Sequence, residues 1–271
     1  MQLSVIIIGY NSWVFLEKNL ASLAFLFNNP QTEIIYVDNA STDGTPDQIK
    51  RRYPNIFVIE NRKNAGVSIA RNQGIRKASG KYLWFLDSDT EVTETALATM
   101  LQFMDETSGA GLCGCKMYGQ DGQVQESCRK FPSVCGKLKA TIRIFSRKLN
   151  GNIKAAPQPA YDTASEKPFE VDYVIGACQL IRKEAQEKTG LLDEHIFYGP
   201  EDADFCLRMK QSGYAVYYLP QVSIYHAYQR IASHKIFSPI TLKHLWGLIY
   251  YFWKYRRGVK SQRVIVQTAT Q

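Results

Sequence analysis

The chain has 271 residues, 45% of them hydrophobic, enough to build a substantial core and to exclude general disorder. Its 33 basic and 25 acidic residues leave a formal net charge of +8, which suits a phosphorylated substrate, an anionic membrane surface or nucleic acid. No run of about 20 apolar residues occurs, so no membrane-spanning helix is expected.

The opening segment Met1-Gln-Leu-Ser-Val-Ile-Ile-Ile lacks a basic leader and breaks at Gly9-Tyr10-Asn11, which predicts a buried strand over Val5 to Ile8 and no secretion signal. Leu16, Leu20, Leu23 and Phe27 recur at helical spacing. Ile34 to Val37 predicts a second buried strand, closed by the turn-rich Asp38-Asn-Ala-Ser-Thr-Asp-Gly-Thr45. A helix is expected over Pro46 to Arg52, a strand over Ile56 to Ile59, a helix over Val67 to Lys77 and a strand over Tyr82 to Leu86. The next helix should run from Thr93 to Glu106. Residues Cys128 to Pro168 are basic and weakly periodic, and regular pattern returns at Val171. Strands joined by helical crossovers imply an α/β fold with a single, mostly parallel central sheet flanked by helices. No repeat or linker divides the chain. Residues 1–230 are therefore expected to form one domain. Residues 231–271 would form a C-terminal extension.

The cysteines, Cys113, Cys115, Cys128, Cys135, Cys178 and Cys206, are expected as reduced thiols, because a chain this long needs no disulfide framework. Cys113-Gly-Cys115 lacks a second pair at zinc spacing.

Open α/β sheets bind ligands beyond the carboxyl ends of their strands. Asp38 ends the second predicted strand, and Asp87 and Asp89 end the fourth in Phe85-Leu-Asp-Ser-Asp. A third acidic group, Glu201-Asp202-Ala-Asp204, opens a predicted helix. Crowded carboxylates repel, and a hard divalent cation relieves that cost while leaving positions for phosphate oxygens. Helix capping and solvation are the alternative use of such residues. Asn64-Ala-Gly66 precedes the helix holding Arg71, which could clamp a phosphate or pair with a sheet-edge carboxylate. His226 follows a short strand expected to return to the acidic edge, as a ligand or as a structural residue. Neither a Gly-x-Gly-x-x-Gly nor a Walker Gly-Lys-Ser/Thr motif is present.

Taken in order, Val5-Ile-Ile-Ile-Gly-Tyr-Asn11, Val37-Asp-Asn-Ala-Ser-Thr-Asp-Gly-Thr45, Asn64-Ala-Gly66, Arg71-Asn72-Gln-Gly74 and Phe85-Leu-Asp-Ser-Asp89 resemble glycosyltransferase family 2. Gly176-Ala-Cys-Gln-Leu-Ile-Arg182, Gly190-Leu-Leu-Asp-Glu194 and Glu201-Asp-Ala-Asp204 extend the likeness, which spans Leu3 to His226 and points to the rhamnosyltransferase-like branch. The resemblance implies the glycosyltransferase-A, Rossmann-like fold, with 1–230 as the catalytic domain, 1–90 as its nucleotide-binding half and 91–230 as its acceptor-side half. It also implies an inverting hexosyltransferase, with rhamnose among the sugars, acting in cell-surface polysaccharide synthesis. Tyr10, Asn11, Asp38, Asn64, Arg71 and Asp87 would hold the nucleotide-sugar. Asp89 and His226 would ligate Mg²⁺ or Mn²⁺, and Asp202 would be the catalytic base, with Glu201 and Asp204 as acceptor-side candidates. The donor would be UDP-, dTDP- or GDP-linked and the acceptor a glycan or lipid-linked hydroxyl, in the cytoplasm. One departure is Gly199-Pro200, where the family commonly has a bulky residue.

Leu242, Leu245, Trp246, Ile249, Phe252 and Trp253 repeat at three- and four-residue spacing and make one apolar face, followed by Lys254, Arg256 and Arg257. Such an amphipathic helix suits a membrane interface, packing on the catalytic unit, or a dimer contact. A sugar nucleotidyltransferase and a catalytically silent carbohydrate-binding protein of the same fold are the alternatives. The first would carry a glycine-rich, basic loop after its first strand, and Gly9-Tyr-Asn-Ser-Trp13 has neither feature. The basic residues form no nucleic-acid recognition motif.

Overall fold

The structure is a computed structural model and describes residues 1–133, 161–227 and 239–256. Most of the basic stretch after Pro132, Cys135, and the parts of the C-terminal extension at 231–238 and 257–271 lie outside the described residues. The first half alternates as the hydrophobic runs dictate. Its elements are β1 (Leu3–Gly9), α1 (Trp13–Ser22), β2 (Thr32–Asp38), α2 (Thr45–Arg52), β3 (Phe57–Glu60), α3 (Val67–Lys77) and β4 (Tyr82–Asp87). β3, β2, β1 and β4 lie side by side, all parallel.

The second half adds β5 (Thr90–Glu91), α4 (Glu94–Glu106), β6 (Ala110–Tyr118), β7 (Val124–Gln125), β8 (Cys128–Arg129), β9 (Phe169–Glu170) and β10 (Tyr173–Val174). It continues with β11 (Cys178–Arg182), α5 (Lys183–Thr189), α6 (Glu201–Gln211), β12 (Ala215–His226) and α7 (Pro239–Lys254). Here the sheet becomes mixed. β11 inserts antiparallel between β4 and β6, and β12 runs parallel to β6. Thr93 starts α4 where the sequence places it, its side chain accepting the Ala96 N–H at 3.1 Å.

Each central strand is apolar on both sides, because helices cover both faces of the sheet. Successive residues therefore feed opposite layers. Val5, Ile7, Tyr36 and Trp84 pack with Leu16 and Leu20 of α1 and Met100 of α4. Ile6, Ile35, Val37 and Phe85 pack with Ala70 of α3 and Ala203, Phe205 and Met209 of α6. Tyr251 of α7 joins this second layer at 2% exposure. Burying a side chain such as Leu16 contributes roughly 1.5–3 kcal/mol, so these two layers fix where the strand ends project. Among the described residues, Cys113, Cys115, Cys128, Cys178 and Cys206 are buried free thiols.

Candidate functional site

The carboxyl ends of β2, β1 and β4 align in register, with Gly9 opposite Asp38 and Ile8 opposite Asp87. The loops that follow are tied to one another. Asp38 is 2% exposed, and its Oδ2 accepts the Ser41 N–H at 2.8 Å. Asn11 has φ +49°, donates its backbone N–H to Ser41 Oγ at 2.8 Å and accepts the Thr42 N–H at Oδ1 at 2.7 Å. Tyr10 beside it is 49% exposed, a large ring standing free over this edge. Asn64 Oδ1 accepts the Gly66 N–H at 3.0 Å. Gly66 itself has φ +88°, and a Cβ there would lie 2.6 Å from the Phe197 carbonyl oxygen. The chain thus needs glycine both for the conformation and for the close approach. Asp38 at the end of β2 and Tyr10, Asn11 and Asn64 on the adjoining loops are thereby placed at the same sheet edge.

Next to them, Asp87, Asp89 and His226 converge, with one ligand atom of each lying within 4.8 Å of the others. β12 does this. Its last residue, His226, pairs in register with Thr90 of β5, so the ring lands beside the Asp-x-Asp turn. His226 Nε2 lies 3.4 Å from Asp89 Oδ1. On the other side of the ring, Nδ1 meets Gln125 Oε1 at 2.7 Å, while Gln125 Nε2 donates to the His226 carbonyl at 2.9 Å. The second bond fixes which way the Gln125 amide faces, so its oxygen receives Nδ1–H and Nε2 is the ring nitrogen turned toward the carboxylates, the atom a cation would take in place of a proton. Burial works against a charged ring at His226, yet hydrogen bonding and the charge of Asp89 raise its pKa on balance. Two hard carboxylates and a borderline imidazole nitrogen are a mixed donor set that fits a divalent cation. Gln125 carries no signal in the sequence, lying 101 residues from its partner in a weakly patterned stretch.

Arg71 links this cluster to the acidic start of α6. It is 3% exposed, and its Nη2 donates to Asp87 Oδ1 at 2.9 Å and to the Gly176 carbonyl at 2.8 Å. Its Nη1 lies 3.9 Å from Glu201 Oε1. Of the two uses open to Arg71, the structure displays the carboxylate pair. A Cβ on Gly176 would come within 2.2 Å of Arg71 Nη1, so any larger residue there displaces the guanidinium. Glu201 is buried; burial first, then the charge of Asp202, pushes its pKa up to about 7 against the pull of Arg71. Burial also raises the pKa of Asp202, although the Ala203 N–H (2.7 Å from Oδ1) and the Gly176 N–H hydrogen-bond to it and Arg129 and Arg71 attract its charge. Asp204 differs from its neighbours. It is fully buried and accepts from Arg208, Lys254 and Tyr255, so it fastens α7 to the fold.

A groove of about 550 Å³ runs alongside, lined among others by Gln125, Glu126, Arg129, Ile175 and Ala227. That volume lies within the ~300–1,000 Å³ usual for small-molecule sites. Among its lining residues, Gln125 hydrogen-bonds His226 and the guanidinium of Arg129 attracts the charge of Asp202.

The family model described as glycosyl transferase family 2 matches residues 4–190. An N-acetylglucosaminyl-diphospho-decaprenol L-rhamnosyltransferase of Mycobacterium tuberculosis is 28% identical over 236 residues, covering 83% of this chain and 75% of the relative. The fold is similar to Staphylococcus aureus TarS, with a TM-score of 0.58 at 19% identity over 84% of this chain and 60% of that one. It is also similar to the mannosyltransferase PcManGT of Pyrobaculum calidifontis, solved with GDP-Man and Mn²⁺, with a TM-score of 0.64 at 20% identity over 96% of this chain and 65% of that one. The chain spans less than two thirds of the length of both solved proteins.

Proposed function

The chain belongs to glycosyl transferase family 2 and is a glycosyltransferase; on that premise we propose that it transfers a hexose from a nucleoside diphosphate to a hydroxyl of a lipid-linked glycan acceptor. Family membership sets aside the nucleotidyltransferase alternative. The observation that carries the proposal is the convergence of Asp87, Asp89 and His226 at the strand ends, with Arg71 joining them to the acidic turn at Glu201 and Asp202. Rhamnose as the sugar and a polyprenyl diphosphate-linked acceptor are supported by the name of the mycobacterial relative. Nucleotide-linked donors fit a cytoplasmic reaction.

In this reading Tyr10, Asn11, Asp38 and Asn64 hold the base and ribose along the edge of β1 and β2. Asp87, Asp89 and His226 would hold a divalent cation, whose charge would offset that growing on the departing diphosphate. Gln125 keeps the His226 Nε2 lone pair directed at that position. Asp202 takes the proton from the acceptor hydroxyl. Its raised pKa makes it a stronger base than an exposed aspartate, and the Ala203 and Gly176 amides hold it in place. Attack from the face opposite the diphosphate inverts the anomeric centre. Arg71 positions Asp87 and Glu201 and is buried away from solvent. The groove beside Arg129 and Ala227 receives the transferred sugar and the acceptor.

The test is a thermal-shift screen of UDP-, dTDP- and GDP-sugars with Mn²⁺ or Mg²⁺. A donor at 100 times its Kd should stabilise the fold by about 2.7 kcal/mol. A full donor panel that shifts nothing, with or without metal, refutes the proposal.

A further inference from the structure

The exposed face of α7 and the charge of the chain's end point to one partner. A helix inside a folded unit normally buries its most apolar stripe. α7 does the reverse. Leu242, Leu245, Trp246, Ile249 and Trp253 are 51–64% exposed, and at about 100° per residue they fall within a stripe about 100° wide. The opposite side does the packing. Gly247 sits so close to the loop before α6 that a Cβ on it would meet the Gly199 carbonyl at 2.6 Å, and a Cβ on Gly199 would meet His244 Nδ1 at 2.8 Å. Tyr251 is buried, and Lys254 bonds both Asp193 and Asp204 at 2.6 Å. The departure from the family at Gly199-Pro200 therefore has a steric reason: it admits α7. Partly buried ion pairs and glycine contacts hold the helix with its apolar stripe outward.

Charge tells what that stripe faces. All of the net charge of +8 resides in residues 227–271, which hold eight Lys or Arg and no Asp or Glu, while residues 1–226 balance 25 basic against 25 acidic. Lys243 is exposed on α7, and Arg256 is exposed in the turn just past its end. Two tryptophans and three aliphatic residues rimmed by cations, on a helix with no acidic residue, are complementary to an anionic lipid interface. Among the described residues no helix is long and apolar enough to cross a membrane. We infer that α7 seats the protein in the interface of an anionic bilayer through Leu242, Leu245, Trp246, Ile249 and Trp253.

The consequence rests on the glycosyltransferase reading. The turn that delivers Glu201 and Asp202 then lies about one helix diameter, ~10 Å, from the lipid surface, where a lipid-linked acceptor resides. Flotation of the full chain with phosphatidylglycerol-containing and pure phosphatidylcholine vesicles tests the docking. The wild type should float with the anionic vesicles and release at 0.5 M salt. The triple variant Trp246→Ser, Ile249→Ser, Trp253→Ser should bind at least ~10-fold more weakly at unchanged Tm. Lys243→Gln with Arg256→Gln, which leaves the apolar stripe intact, should weaken binding to anionic vesicles alone. No flotation of the wild type, or undiminished flotation of the triple variant, overturns the inference. So does light scattering that finds a dimer dissociated by the triple substitution without any flotation, since the occupant is then a second copy. Nucleoside diphosphate binding in solution, unchanged by these substitutions, tests the glycosyltransferase reading separately.

Discussion

Glu201→Gln should make the protein more stable at neutral pH and leave it unchanged in acid. Glu201 is 6% exposed, and burial with the neighbouring Asp202 charge raises its pKa from 4.5 to about 7. Between those values the folded state holds a proton that the unfolded chain has released. Stability is therefore fully present below pH 4.5 and falls as pH rises through about 7, at up to about 1.4 kcal/mol per pH unit. Integrated over the window, the ionised carboxylate costs roughly 3 kcal/mol at pH 8. Glutamine keeps the shape and never ionises, so the variant escapes that cost. For a chain of this size the gain corresponds to a Tm higher by roughly 5–10 °C at pH 8, shrinking to nothing near pH 4.5. Calorimetric melting of both proteins from pH 4.5 to 8 at fixed ionic strength measures it. A variant destabilised at pH 8, or a difference independent of pH, would show that Arg71 compensates the Glu201 charge fully and that the burial argument is wrong.

Asp202→Asn keeps size and removes the base, so turnover should fall ~10²–10⁴-fold with donor affinity intact; near-normal turnover would move the base elsewhere. Gln125→Leu frees the His226 ring, and Mn²⁺ affinity measured by calorimetry should drop ~10–100-fold, whereas unchanged affinity would remove Gln125 from the site. Gly176→Ala forces a Cβ against Arg71 Nη1, at 2.2 Å in the present geometry. A loss of ~1–3 kcal/mol in denaturant unfolding is expected, together with weaker metal binding through the displaced Asp87.

The strand edge that gathers Asp38, Asp87 and Asp89 was legible because parallel strands buried on both faces write themselves as continuous β-branched runs. Val5 to Ile8, Ile34 to Val37 and Tyr82 to Leu86 each ended in the carboxylate or loop that the fold uses. His226 was reachable by the same logic, as the end of a strand returning to that edge. The mixed half was harder to read. β11 enters antiparallel between β4 and β6, and nothing local in Cys178–Arg182 encodes the direction of its partners. Gln125 and Gly176 act through contacts about a hundred residues away, beyond any local pattern. Asp204 looked equivalent to Glu201 in sequence. Helical geometry turns it inward to Lys254 and Tyr255 instead. The apolar periodicity of α7 was plain, but which face packs was decided by Gly199 and Gly247, two residues that periodicity ignores.

The central claim is that Asp87, Asp89 and His226 bind a divalent cation that joins the protein to a nucleoside diphosphate. Calorimetric titration with UDP, dTDP and GDP tests it most directly, done with Mn²⁺, without metal, and with Mn²⁺ on Asp89→Ala. At least one nucleotide should bind the wild type tightly with Mn²⁺ and at least ~10-fold more weakly in both other cases. Equal affinity in all three would contradict the claim.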